Sequence, residues 1–285
     1  MKIESNYRSD EALRASFNEL AGKIFGLNFE DWYQHGFWQD NYNPYSVIED
    51  GKVVANISVN ACNMNYKGKV VRLIQLGTIM TDPDYRGKGY SRVLMERILE
   101  DYRDKVDGIY LFANDSVLDF YPKFGFRVRK EYQYSKPVTY ERDCTARLVP
   151  MSEQKDWDKM TQILNNTEQN SGMYMVSNSG LYMFYLSQFM QENTFHIEEC
   201  DSCVIAEVED DTLILHAILG KAEPDQVIAA FGRDIRQVIL AFTPRNTDGF
   251  EKNELIEEDT TLFVQGKFFD ETENEDFMFQ TITHA

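Results

Sequence analysis

The residues best placed to do chemistry lie between Leu76 and Ser91, in the stretch LGTIMTDPDYRGKGYS. Leu76 to Met80 can occupy a strand, Asp82-Pro83-Asp84 turns the chain, and Arg86-Gly87-Lys88-Gly89 falls where a helical pattern begins. A strand, a glycine loop and a helix start, in that order, aim several backbone N–H groups at one point on the positive end of the helix dipole. Such a junction suits a phosphate or pyrophosphate. The two glycines let the backbone approach a ligand with no Cβ in the way, and Arg86 and Lys88 add fixed positive charge.

Spacing separates the phosphate loops that this stretch could form. A Walker loop needs Gly, four residues and Gly-Lys-Ser/Thr, which this stretch does not supply. A dinucleotide fingerprint needs a third glycine where the chain has Arg92. The remaining form is Arg/Gln-x-x-Gly-x-Gly/Ala, and Arg86-Gly87-Lys88-Gly89-Tyr90-Ser91 fits it, with Ser91 in the last small position. In this loop the chain resembles the GNAT superfamily of N-acetyltransferases, which seat the acetyl-coenzyme A pyrophosphate there. A second signature follows in the right order. The segment Asn114 to Phe126, NDSVLDFYPKFGF, looks like the family's Asn-x-x-Ala-x-x-Phe-Tyr-x-x-x-Gly-Phe, with Val117 where alanine is usual. The resemblance covers roughly residues 1 to 140.

The resemblance implies an α+β fold, a mixed and mostly antiparallel twisted sheet flanked by helices, with acetyl-CoA as co-substrate and a primary amine as acceptor. Acetyl transfer by direct attack needs a neutral amine, yet an alkyl amine with a pKa near 10.4 is almost wholly protonated at neutral pH. The departing thiolate leaves more readily if an acid protonates it. Tyr121, matched to the family's tyrosine, is the expected general acid. The loop Arg86, Gly87, Lys88, Gly89, Tyr90 and Ser91 is expected to hold the pyrophosphate. Ile79, Met80 and Thr81 would offer backbone groups to the pantetheine arm as a strand edge does, with Asn114 on its other side.

The flanking elements agree. Leu13, Phe17, Leu20, Ala21, Ile24 and Phe25 share one helical face over residues 10 to 25, and Val93, Leu94, Met95, Ile98, Leu99 and Tyr102 share another after the loop. Asp50-Gly51 marks one hairpin and Tyr66-Lys67-Gly68-Lys69 a second, so an antiparallel meander precedes the glycine loop. Gly108 to Ala113 is the strand beyond the helix. A nicotinamide-binding domain would place its loop after the first strand of a parallel unit, and the meander counts against it. Between Phe29 and Tyr45, Trp32, Tyr33, His35, Phe37, Trp38 and Tyr42 mix with Asp31, Gln39 and Asp40. In the resembled fold this region lies beside the acceptor, and aromatics with carboxylates would suit a cationic amine, small molecule or peptide.

Beyond Arg142 the order of elements restarts, with helical patterns at 153–168 and 178–190, strands at 203–208 and 212–219, a helix from Pro224, a strand at 237–242 and an apolar run at 261–269. Gly220-Lys221-Ala222-Glu223-Pro224 replaces the glycine loop. Two domains are expected, an acetyl-CoA-binding catalytic domain at 1–142 and a degenerate GNAT-like domain at 143–285, with one coenzyme A site per chain. The arrangement is similar to tandem acetyltransferases of the enhanced-intracellular-survival type, which carry a further C-terminal domain. Their terminal carboxylate serves the active site, so the end around His284 and Ala285, read as a strand from Phe277, is expected near the acceptor pocket.

Composition excludes other classes. A net charge of −18 disfavours nucleic acid and anionic membrane surfaces as partners. The start lacks an apolar leader and no run is long enough to span a bilayer, so a soluble, cytoplasmic protein is expected. Cysteines at 62, 144, 200 and 203 are too scattered for a disulfide framework, and Cys200-x-x-Cys203 lacks the second pair of a zinc site, so no metal is expected. The alternative to an enzyme is a non-catalytic acyl-CoA-binding or regulatory protein. The acceptor's identity, the general base and the oligomeric state are not encoded in any motif.

Overall fold

The computed structural model describes residues 1–166, 171–176, 178–220 and 222–284, without the side chain of Asn166. Ala285 and Lys221, both within motifs singled out above, and the end of the expected 153–168 helix lie outside the described residues.

In chain order the first half runs β1 (Lys2–Ser5), α1 (Glu11–Phe25), α2 (Glu30–Gln34), β2 (Tyr42–Glu49), β3 (Lys52–Ala61), β4 (Met64–Tyr66), β5 (Lys69–Val71), β6 (Leu73–Thr81), α3 (Tyr90–Tyr102), β7 (Gly108–Ala113), β8 (Arg127–Val128) and β9 (Tyr132–Pro137). The second half runs β10 (Arg147–Leu148), α4 (Gln154–Asn166), β11 (Met173–Met175), α5 (Ser179–Gln188), β12 (Thr194–Ile197), β13 (Ser202–Glu209), β14 (Thr212–Leu219), α6 (Pro224–Ala230), β15 (Gln237–Leu240), β16 (Glu251–Glu254), β17 (Thr261–Gln265) and α7 (Lys267–Glu271). Both expected hairpins form, β2 with β3 across Asp50-Gly51 and β4 with β5 across Lys67-Gly68. α1 starts where Asp10 Oδ1 accepts the N–H groups of Ala12 and Leu13, both at 3.1 Å, and stops at Gly26 with φ 71°.

Two seven-stranded sheets result, ordered β1-β2-β3-β6-β7-β17-β8 and β10-β12-β13-β14-β15-β9-β16. In each, one pair is parallel, β6 with β7 and β14 with β15, and a helix makes the crossover, α3 in one and α6 in the other. The second sheet therefore repeats the first. The sixth position differs from any simple repeat: the first sheet takes β17 from the end of the chain, and the second takes β9 from the end of the first half. β17 pairs antiparallel with β7 from Thr261↔Ala113 to Gln265↔Ile109 and also with β8, while β9 lies between β15 and β16. The sheets therefore do not follow a boundary between residues 142 and 143, and the 261–269 run expected in the second domain completes the first sheet.

Strand β3 shows how the first sheet is layered. Ala55, Ile57 and Val59 pack with Leu94, Met95 and Ile98 of α3, whereas the alternate residues Asn56, Ser58 and Asn60 are buried on the opposite face. Most of that polar face is bonded within the protein, while the buried Asn60 Nδ2 meets no hydrogen-bond partner among the described residues. Tyr7 OH and Ser46 Oγ are 2.7 Å apart, Ser46 Oγ donates to Asn56 Oδ1 at 2.8 Å, and Asn56 Nδ2 donates to Ser58 Oγ at 2.9 Å. Asn60 Oδ1 accepts from Asn178 Nδ2 of the second half at 3.0 Å.

The expected terminal strand does not form. Residues 277–283 instead run as irregular chain with one short turn at Thr281–Thr283, buried between the two sheets. Phe279 stacks on Tyr110 at 4.0 Å, His284 stacks on Phe112 at 3.7 Å, and the buried Glu131 carboxylate accepts the Phe279 N–H at 2.7 Å. On the other side Met278 exchanges hydrogen bonds with Thr243 Oγ1 at 2.9 and 3.0 Å, and Thr281 Oγ1 meets His216 Nδ1 at 2.7 Å. A strand's alternation is present, but no strand ladder forms: besides these side chains, Phe277 O accepts Tyr132 N–H at 3.2 Å and Thr281 N–H reaches Ala241 O at 3.4 Å.

Candidate active site

Strands β6 and β7 pair only at Leu73↔Gly108, Ile74↔Ile109 and Gln75↔Tyr110. β6 then continues to Thr81 and β7 to Ala113, so the two diverge and leave a wedge at the edge of β6. The register of β6 against β3 slips in the same place: Asn56 faces Met80 but Ser58 faces Gly77, so β6 spends three residues where β3 spends two. The extra residue carries strain. Thr78 has φ 46°, unusual for a β-branched side chain, and is held by Asn56 Nδ2 on its carbonyl at 2.9 Å and by Tyr42 OH on its Oγ1 at 2.8 Å.

A cavity of about 460 Å³ opens into the wedge. Ile79, Met80 and Thr81 form one wall, Arg86 and Ser91 the end nearest the glycine loop, and Asn114 with Tyr121 the opposite wall. Phe25, from the end of α1, closes it at one side, together with Ile24. Seven of the expected residues thus share one cavity. Gly87, Lys88, Gly89 and Tyr90 belong to the adjoining loop without lining it: Lys88 Nζ sits 4.2 Å from the Tyr85 ring and Tyr90 OH donates to Glu49 Oε1 at 2.7 Å.

The loop leaves room at the start of α3. Gly87 and Gly89 have φ 77° and 81°, and a Cβ built on either would meet nothing within 4 Å. Backbone conformation alone therefore demands glycine, and open space lies in front of the α3 N-terminus. Lys23 on α1 pairs with Asp82 Oδ2 at 2.9 Å, while Asp82 Oδ1 caps Asp84 N–H at 3.0 Å, which ties the approach to the loop down. Thr81 Oγ1 and Ser91 Oγ, 3.0 Å apart, join the strand to the helix.

Tyr121 opens a short turn ending at Phe124 and is only 3% exposed. Burial pushes its hydroxyl up to about 12, so it is held as a neutral phenol far above neutral pH. Phe263 of β17 backs its ring at 5.3 Å, and Asp259 Oδ1, just before β17, accepts the Asp115 N–H at 2.7 Å. The second half of the chain thus supports the first half's turn. Asn114 Oδ1 is engaged by Ser116 Oγ at 2.6 Å.

Next to the wedge lies a smaller pocket of about 210 Å³ that shares Phe25 with it. Trp32, Tyr42 and Phe29 line it from the first half, and Leu181 and Phe184 of α5 from the second. The expected carboxylates are elsewhere. Asp31 and Asp40 are exposed, Asp40 pairing with Arg8 at 2.8 Å, and no acidic residue lines either cavity. Tyr33 lies under the Arg14 guanidinium and His35 meets Trp157 at 4.4 Å, tilted by 34°, so only part of the aromatic cluster faces the pocket. Phe25, expected on the packed face of the first helix, is instead 46% exposed, and Thr78, Leu181 and Phe184 carry no motif signal of their own. Residue 284 stacks on Phe112, and burial lowers its imidazole to about 3, which keeps it neutral.

The equivalent junction of the second sheet is filled. Glu223 caps α6 with its own carboxylate, with Gln226 returning the bond to Glu223 N–H at 3.0 Å, so the helix start already holds an anion. Beyond the Leu215↔Leu240 pair, residues 278–281 bridge the ends of β14 and β15 through the His216, Ala241 and Thr243 contacts above.

The site thus combines a divergent parallel strand pair, β6 and β7, a glycine loop before α3 and a buried tyrosine after β7. Residues 10–129 match the family described as the acetyltransferase (GNAT) domain. Across both halves the chain is similar to a probable N-acyltransferase of Enterococcus faecalis V583, with TM-score 0.62 and 14% identity over 93% of this chain and 72% of that one. It is also similar to a GCN5-related N-acetyltransferase of Kribbella flavida, at TM-score 0.56 and 16% identity over 93% and 72%, and to Eis1 of Mycobacterium abscessus, at 0.56 and 12% over 92% and 73%. At these identities the likeness is one of fold. No described helix is long and apolar enough to cross a membrane, and no group of three metal-ligating side chains occurs among the described residues.

Proposed function

We propose that the chain is an acetyl-CoA-dependent N-acetyltransferase that moves an acetyl group to a primary amine of a small molecule or peptide. One observation carries this reading: the exposed edge Ile79–Thr81, the loop end at Arg86 and Ser91, Asn114 and the buried Tyr121 line a single cavity. The open cradle at Gly87 and Gly89 fits a pyrophosphate on the α3 N-terminus, with Arg86 and Lys88 supplying charge. The edge of β6 fits the amides of the pantetheine arm, and Asn114 faces it.

The amine attacks the thioester carbonyl carbon, an N–C bond forms, and the C–S bond breaks with its electron pair going to sulfur. Tyr121, kept protonated by burial, donates its proton to that sulfur, the nitrogen releases its surplus proton to water, and the tyrosinate takes a proton back from water. Tyr121→Phe removes only a hydroxyl. The expected result is unchanged coenzyme A affinity with kcat lower by roughly 10²-fold. An unchanged kcat removes Tyr121 from the reaction, and failure of acetyl-CoA to support turnover with any amine returns the chain to an acyl-CoA-binding protein.

A further inference from the structure

We propose that the 210 Å³ pocket beside Thr78 receives the apolar group of the acceptor, that this acceptor is an arylalkyl primary amine, and that the second half of the chain sets the preference through Leu181 and Phe184. The inference rests on the N-acetyltransferase reading and deepens it.

The pocket's location is the first reason. It adjoins the wedge: Phe25 lines both cavities, and Thr78 of its lining is followed in the chain by Ile79 and Met80 of the wedge wall, so a short substituent carries an amine from this pocket to the cavity that Tyr121 lines. Its chemistry is the second. Phe29 stacks between Tyr42, at 5.7 Å and 22°, and Phe184, at 5.0 Å and 13°, while Trp32 meets Phe184 edge-on at 5.5 Å. The polar atoms of this wall are already bonded within the protein: Tyr42 OH to Thr78 Oγ1 at 2.8 Å and Trp32 Nε1 to Gly180 O at 2.7 Å. With no carboxylate in the lining, a polyamine or aminoglycoside would bury further ammonium groups without partners, at a large cost. An amine whose only cation is the nucleophile meets the opposite situation, because an apolar setting favours the neutral form that attacks.

Size is the third reason. At a protein packing density near 0.74, this space holds roughly 155 Å³ of ligand, about a phenyl ring with two or three carbons. The wall is also rigid. A Cβ on Gly180 would stand 2.3 Å from Phe37 O, so bare backbone lets α5 dock, and Asn178 Nδ2 pins its start to Asn60 Oδ1 and Ala61 O, both at 3.0 Å.

The test uses the full chain with acetyl-CoA and compares 2-phenylethylamine with spermidine. Expected is a kcat/KM for 2-phenylethylamine about 10-fold or more above that for spermidine, lost by a similar factor in Leu181→Trp, which fills the pocket. Coenzyme A affinity by calorimetry and the unfolding midpoint of that variant should match wild type. Equal or better use of spermidine overturns the proposal, as does undiminished use of 2-phenylethylamine by Leu181→Trp. A preference for octanoyl-CoA over acetyl-CoA that Leu181→Trp abolishes assigns the pocket to the acyl chain and also overturns it. If no amine is acetylated, the enzyme reading fails, and calorimetric binding of 2-phenylethylamine to the coenzyme A-loaded chain then decides the pocket: binding lost in Leu181→Trp supports it and absence of binding refutes it.

Discussion

Cutting the chain at residue 142 should destroy the first lobe, although every expected site residue lies before the cut. The missing piece is β17, whose Leu262, Phe263 and Val264 are 4%, 1% and 0% exposed. Burying each such side chain contributes about 1.5–3 kcal/mol, so the three together contribute about 4.5–9 kcal/mol, an upper estimate because the unfolded chain is itself partly collapsed. A whole domain is stable by only about 5–15 kcal/mol. Removal also bares the facing edges of β7 and β8 and takes Phe263 from behind Tyr121. Residues 1–142 expressed alone should therefore show no cooperative denaturant transition by circular dichroism and no coenzyme A binding by calorimetry. Supplying residues 143–285 in trans should restore both, since that piece brings β17 and receives β9. A cooperative, coenzyme A-binding 1–142 fragment would refute the reasoning.

Intact protein should bind one coenzyme A per chain, and Gly89→Glu should abolish binding by putting a carboxylate and a strained φ at the α3 N-terminus; two equal sites by calorimetry would contradict the filled junction of the second sheet. Burial raises the Glu131 carboxyl from 4.5 to about 8, so the folded state favours the protonated form and its stability falls as pH rises from 4.5 through 8. Glu131→Gln, which keeps an oxygen for Phe279 N–H, should flatten the pH dependence of the urea midpoint in that window; an unchanged slope counts against it. His216 runs the other way. Burial lowers it from 6.5 to about 4, so the neutral form is favoured and stability is lost as pH falls from 6.5 through 4, a loss that His216→Gln should reduce in the same urea titration.

What could be read from sequence was whatever is specified locally. Asp50-Gly51, the Arg86 to Ser91 loop and the amphipathic faces of α1 and α3 carry their own turn chemistry and periodicity, and each forms as read. The Asn114 to Phe126 signature likewise brings Asn114 and Tyr121 to one cavity. Pairing partners are another matter. An apolar run such as Thr261 to Gln265 has the same pattern whichever sheet receives it, so nothing local told that it crosses to β7. Thr78 is hidden for the opposite reason: a β-branched residue is a poor indicator of positive φ, and Asn56 and Tyr42, which hold it there, are distant in sequence. Leu181 and Phe184 sit in a helix apolar on most sides, which reads as core, and only its docking on Trp32 reveals that two of its side chains face a pocket. The alternation from Phe277 to Thr283 is real burial on two sides, supplied by two sheets instead of by strand neighbours.

The exchanged strands also set a clock during synthesis. Between Val128, the end of β8, and Thr261, the start of β17, the ribosome must add 261 − 128 = 133 residues. At about 5–20 residues per second that is roughly 7–27 s during which β7 presents an unpaired backbone edge beside an apolar interior. A nascent chain of this design cannot finish its first lobe before its second is made. The first sheet closes only when β17, in the last tenth of the polypeptide, has left the exit tunnel, so a ribosome stalled before Thr261 holds the β7 edge open, and cellular holdases that shield such edges should associate with it over that interval.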